Sequence, residues 1–182
     1  NSLIGLKTFK GKINFKTYAS LESQISAISD DIAYNNHDIQ DGIKANLFKL
    51  DELVEIDFFK SIYFKYKNKI NKKNYKIATY QIIRDSIDLM IRDLLVNTQK
   101  NLNVFKIKSV KDVAKIDQLV VSFSDKLQNS EKEIRLFLRT KMYNNKSVLR
   151  KNQRGKVIVK KLFNIIKSNP RKFLSKDQLT ID

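Results

Sequence analysis

One proline, Pro170, and four glycines are the only backbone punctuation in a chain of 182 residues. Turn-rich β architectures need such residues at most of their corners, whereas long helices are interrupted by them. The expected fold is therefore all-α, with little or no sheet. Apolar residues make up 42% of the chain, enough to bury the core of one domain.

No apolar run approaches the roughly 18–20 residues needed to cross a bilayer, and no membrane partner is expected. The chain has no cysteine, which excludes a disulfide framework and a thiolate metal site. The opening stretch NSLIGLKTFKGKINF lacks the apolar centre of a signal peptide, so the cytoplasm is the expected compartment. The formal charge is +17, which would attract polyanions such as nucleic acid, nucleotides or an anionic surface. Lysine is nevertheless spread along the chain beside many asparagines and isoleucines, the look of a compositional bias.

Residues 1–19 read as a connector in which apolar and basic residues alternate, as in a strand or an extended arm. Ser20 is placed to cap a helix whose apolar residues Leu21, Ile25, Ile28 and Ile32 recur at helical spacing, with Gly42 as its stop. Short helices are expected over 47–56 and 58–68. A single long one follows from about Tyr75 to Leu102, on the pattern Ile77, Tyr80, Ile83, Ile87, Met90, Ile91, Leu94. A short apolar helix is expected around 113–124, and two more over 130–143 and 150–168, the first opened by Ser130 and Glu133 in a near capping box. No repeat and no shift of composition divides the chain, so residues 1–182 are read as a single helical unit.

The stretch SDDIAYNNHDIQDG concentrates acid in an otherwise basic chain. On a wheel with Asp30 at zero, Leu21, Ile25, Ile28 and Ile32 fall between about 160° and 220°. Tyr34 falls near about 40°, Asp38 near about 80°, Asp41 near about 20° and His37 near about 340°, away from that apolar arc. One or two turns earlier the same side carries only Ser23 and Ala27, small enough for another segment or a ligand to approach the backbone. Residues 19–43 contain no Lys or Arg. Carboxylates beside an imidazole suit a hard divalent cation such as Mg²⁺ or Mn²⁺, or a metal-bound phosphate, although one helix rarely supplies a whole coordination shell. The bland alternative is a solvated acidic face with His37 complementing the helix dipole.

The run LESQISAISDDIAYNNHDIQDGIKANLF, and DDIAYNNHD within it, resembles the deoxyguanosinetriphosphate triphosphohydrolase-like branch of the HD-domain metal-dependent phosphohydrolases. The likeness continues more loosely through YQIIRDSIDLMIRDLL into EKEIRLFLRTKMYNN, covering about Leu21 to Pro170. It implies a helical HD-domain-like fragment with a C-terminal helical extension. It also implies a divalent metal held in part by Asp30, a sugar or phosphate contact from Tyr34, and a hydrogen bond from a deoxyribose 3′-hydroxyl to Asp38. Tyr80 and Arg84, with Lys76, are the candidates for lining the substrate site and holding polyphosphate. The implied reaction is hydrolysis of a deoxynucleoside triphosphate to deoxynucleoside and tripolyphosphate.

The family draws its other metal ligands from an upstream histidine and a His-Asp pair. The chain's one histidine, His37, lies beyond Asp30 and matches none of them. The sequence thus looks like the C-terminal half of such an enzyme, with an incomplete metal site, expected to be silent alone and to act with its N-terminal half or as a homo-oligomer. The rival reading is a basic helical module for single-stranded nucleic acid, built on the aromatic and basic mixture FFKSIYFKYKNKINKKNYK.

Overall fold

The computed structural model of the chain describes residues 18–175. The extended arm expected before residue 18 lies outside them. Every regular element among the described residues is helical. In order these are α1 (Leu21–Lys44), a 3₁₀ segment (Leu50–Glu55), α2 (Asp57–Tyr66), a 3₁₀ turn (Lys67–Lys69) and α3 (Tyr75–Val104). They are followed by the one-turn α4 (Val110–Val113), α5 (Asp125–Leu138), a π-turn (Arg139–Tyr143), α6 (Lys146–Ser168) and the one-turn α7 (Pro170–Phe173). These residues group into two compact units that divide between Leu138 and Arg139.

In the first unit, α1 packs on α3 and α5, and α2 packs on α3. Ser20 caps α1 by accepting the Ser23 N–H at 3.4 Å. The helix does not stop at Gly42. Its terminator is Asn46, at φ 54°, after which Leu47 N–H reaches back to the Gly42 carbonyl at 2.9 Å and Asn46 N–H to the Ile43 carbonyl at 3.0 Å. That pair of bonds is a Schellman ending, and asparagine is one of the few residues besides glycine to tolerate its left-handed position. Gly42 serves packing instead: a Cβ there would overlap the ring of buried Phe48, which stacks edge-on against Phe137 with centroids 4.9 Å apart. The end of α3 repeats the Schellman pattern with Lys106 at φ 53°.

The apolar arc expected of α1 is buried only in part. Ile32 lies in the core, Leu21 and Ile28 are half-buried, and Ile25 is 48% exposed. The helix buries Gln24, Ile32, Asn36, Ile39 and Ile43, two of them polar. Asn36 is satisfied by donating to its own Ile32 carbonyl at 2.8 Å and accepting from Ser86 of α3. On α3 the buried face runs through Ala78, Ile82, Ser86, Met90 and Leu94, while Ile77 and Ile91 of the expected pattern face solvent.

No helix forms over 113–124. Only Val110–Val113 makes a turn, and the rest is irregular. Its buried backbone is satisfied by side chains from elsewhere, as burial requires. The Gln24 amide oxygen accepts the N–H groups of Val120 and Val121 at 3.0 Å each. Asn97 donates to the carbonyls of Ser122 and Phe123 at 2.9 and 3.0 Å, and Asn101 to that of Val120 at 2.8 Å. Asp93 accepts the Ser124 N–H at 2.8 Å and its hydroxyl at 2.6 Å. The next helix begins at Asp125 rather than 130; Ser130 sits inside it, buried, donating to the Lys126 carbonyl at 3.3 Å, so it caps nothing.

In the second unit, α6 is capped by Asn145, whose side chain accepts the Ser147 N–H at 2.9 Å. Its 23 residues include none that is buried.

Candidate functional site

Because α1 is unbroken from Leu21 to Lys44, Asp30, Tyr34 and Asp38 stand one turn apart along one side of it, over about 12 Å of helix. Asp30 and Tyr34 are exposed, Tyr34 to 63%, and Asp38 is half-buried. Asp30 borders an open, shallow depression whose other walls are Ser26, Ala27, Ser29 and Ala33. Small residues there leave the helix backbone approachable next to a carboxylate.

The neighbouring carboxylate, Asp31, is committed elsewhere. Arg135 of α5 donates to it at 2.9 Å and also to Glu131, which in turn accepts from Asn35 of α1 at 3.3 Å. Glu131, and then Asp31, hold the Arg135 guanidinium above its ordinary pKa. This clasp, together with the Gln24 bonds to Val120 and Val121, fixes the rotation of α1 about its axis. With Asp31 turned to α5, Asp30 is turned to solvent.

The sequence candidates on α3 occupy a different place. Tyr80 lines a groove with Gln40, Ile43, Lys44, Asn46, Tyr75, Lys76 and Thr79, and Lys76 lies 5.9 Å over its ring. Neither Arg84, which is exposed, nor any of Asp30, Tyr34 and Asp38 lines that groove. His37 is exposed on α1. Among the described residues no group of three or more His, Asp or Glu side chains is placed to hold a metal ion. The donor set therefore does not fit a complete ion site.

A further groove, absent from the sequence reading, runs between α2, α3 and the start of α5, with Phe58, Leu89, Arg92, Asp93, Val96 and Leu127 among its walls. The periodic patterns within single helices carry no signal for it, since three elements build it. In the aromatic and basic stretch from 58 to 66, Phe59 belongs to the core and the Tyr66 hydroxyl donates to Asp85 at 2.9 Å. Phe64 alone of its aromatic rings is more than half exposed, at 52%. Phe58, Tyr63 and Tyr66 are half-buried, and Tyr75, at the end of the stretch expected to stack on single-stranded nucleic acid, is 36% exposed.

Among the described residues no helix is long and apolar enough to cross a membrane. Residues 121–180 match the model of the phosphohydrolase-associated domain. A deoxyguanosinetriphosphate triphosphohydrolase-like protein of Pelagibacter ubique (strain HTCC1062) is 62% identical over all 182 residues, which make up 49% of its length. Proteins of the same name from Caulobacter sp. (strain K31) and Bartonella tribocorum (strain CIP 105476 / IBS 506) are 31% and 34% identical over 87% and 84% of the chain, covering 40% and 38% of their own lengths. The all-α fold and these similarities agree: the chain is similar along its whole length to proteins named deoxyguanosinetriphosphate triphosphohydrolase-like and spans about half the length of the curated relatives it matches.

Proposed function

We propose that the chain is the substrate-facing part of a phosphohydrolase that cleaves a deoxynucleoside triphosphate to deoxynucleoside and tripolyphosphate. The observation that carries this reading is the Asp30, Tyr34, Asp38 ladder on one continuous helix, with an exposed phenol between two carboxylates. Asp38 accepts a hydrogen bond from the sugar 3′-hydroxyl, a charge-assisted contact that orients the deoxyribose. Tyr34, one turn away, offers its ring to the sugar and its hydroxyl to a phosphate oxygen. Tyr80 and Lys76, in a groove that none of the ladder residues lines, and Arg84, outside it, are given no part in this reading.

Asp30 is the single carboxylate that this chain lends to a divalent ion of the Mg²⁺ or Mn²⁺ class. A lone exposed carboxylate holds such an ion weakly, so the remaining ligands belong to the other half of the family's length. The 182-residue chain is therefore silent by itself. The test is tripolyphosphate release from dGTP by the chain alone and by the chain mixed with a polypeptide covering the other half of the Pelagibacter relative. Release only from the mixture supports the reading; robust release from the chain alone refutes it.

A further inference from the structure

Residues 134–175 contain thirteen Lys and Arg and no Asp or Glu, so the excess charge of the chain is concentrated near its C-terminal end, not spread evenly. Helix α6 carries eight of those cations. On its wheel, with Lys146 at zero, Lys146, Arg150, Arg154, Lys160 and Lys161 fall from about 320° through zero to about 80°. Ile158, Leu162, Val159, Ile165 and Phe163 fall from about 100° to about 260°, on the opposite side. These five apolar side chains are each between 52% and 67% exposed. Gly155, near the middle of the apolar arc, has open space where a Cβ would stand.

We propose that α6 lies on an anionic lipid surface, its aliphatic arc sunk to the level of the acyl chains and its cations at the phosphate headgroups. A helix of about 34 Å with one mainly aliphatic side and one on which cations predominate, interspersed with Gln153, Val157, Asn164 and Ser168, suits the plane of the interface, where each side finds its own medium. Both properties are needed to choose the occupant. A nucleic acid would engage the cations but leave the Ile, Val and Leu side chains in water, and Phe163 is the one ring of α6 available to stack on a base. A second copy of α6 would cover the apolar arc but bring Lys151, which falls inside that arc near about 140°, and Lys156 and Lys167 at its margin against their counterparts, with no acidic residue between 134 and 175 to pair them. The sequence expectation of no membrane partner rests on the lack of a spanning run, and a surface helix needs none. This inference does not depend on the nucleotide reading of α1.

The experiment is sedimentation of the 182-residue chain with phosphatidylcholine vesicles, with and without about 30 mol% phosphatidylglycerol, at low and high salt. The expected result is binding to the anionic vesicles that weakens at least about tenfold when they are neutral or when salt screens them. The variant Leu162→Gln with Phe163→Gln keeps every charge and changes only exposed side chains, so its helix survives, which circular dichroism checks. It is expected to lose most of the anionic-vesicle binding, again about tenfold or more. Lack of binding to anionic vesicles overturns the proposal. So does unchanged binding by the double variant, which would mean simple polycation adsorption, or capture by a single-stranded oligonucleotide in preference to the vesicles.

Discussion

Replacing Gln24 by leucine removes one oxygen on which two buried N–H groups depend. Gln24 is nearly buried, as are Val120 and Val121, and its amide oxygen is the hydrogen-bond acceptor of both valines at 3.0 Å. Leucine has similar volume and admits no water in place of the lost oxygen. Each orphaned buried donor costs about 1–3 kcal/mol, and the added apolar contact of leucine offsets about 1 kcal/mol of the total. A net loss of roughly 1–5 kcal/mol follows, or some 2–4 °C of Tm per kcal/mol in a chain of this size. Urea denaturation should show a lower midpoint at unchanged slope, and hydrogen exchange should show the Val120 and Val121 amides losing protection first. Gln24→Glu keeps the acceptor but sets a carboxyl oxygen against the Ala19 carbonyl to which Gln24 donates at 2.8 Å, so it should retain that protection only with the carboxyl protonated, at low pH. A Gln24→Leu protein within about 0.5 kcal/mol of the parent, with both amides still protected, would refute the reasoning.

Two further substitutions probe local features. The Asp85 carboxyl is held below the usual range chiefly by the Lys65 ammonium at 2.6 Å and, after that, by the Tyr66 hydroxyl. A depressed folded-state pKa stabilises above the unfolded value near 3.8 and is lost as pH falls through the depressed one. Asp85→Asn should therefore cost about 0.5–1 kcal/mol at neutral pH, discounted because Lys65 is mostly exposed, and flatten the acid limb of the stability profile below about pH 4. Lys106→Gly, at φ 53°, should stabilise by roughly 0.5–1 kcal/mol in urea denaturation, since glycine holds the left-handed ending of α3 without Cβ strain. A loss of stability there would mean that the lysine side chain contributes more than its backbone costs.

Local signals were legible in the sequence wherever a feature depends on neighbours along one helix. The scarcity of Gly and Pro, the Ser20 cap and the long period of α3 all belong to this class, and so does the side-by-side placing of Asp30, Tyr34 and Asp38. Features set by distant partners were not. The apolar run VVSFS reads as a helix until Gln24, Asn97, Asn101 and Asp93 are seen to bond its backbone from far along the chain. Gly42 reads as a stop until Phe48 folds back onto it. Ile25 reads as core, yet it is nearly half exposed, while the polar Asn36 is buried because Ser86 waits for it across the interface. The even spread of lysine conceals a one-sided distribution, because a segment empty of acid is noticed only when acids are counted with the bases.

The most direct test of the α1 reading couples one residue to one hydroxyl. In the mixture with the other half of the family's length, kcat/KM is measured for dGTP and for its analogue lacking the 3′-hydroxyl, with the parent chain and with Asp38→Asn. A hydrogen bond to a charged group is worth about 1.5–3 kcal/mol, so the parent should prefer dGTP by roughly 10- to 100-fold, and Asp38→Asn, whose amide oxygen accepts without charge, should cut that preference to roughly 2- to 10-fold. An Asp38→Asn protein that keeps the parent's full preference would contradict the assignment of this helix to the nucleotide.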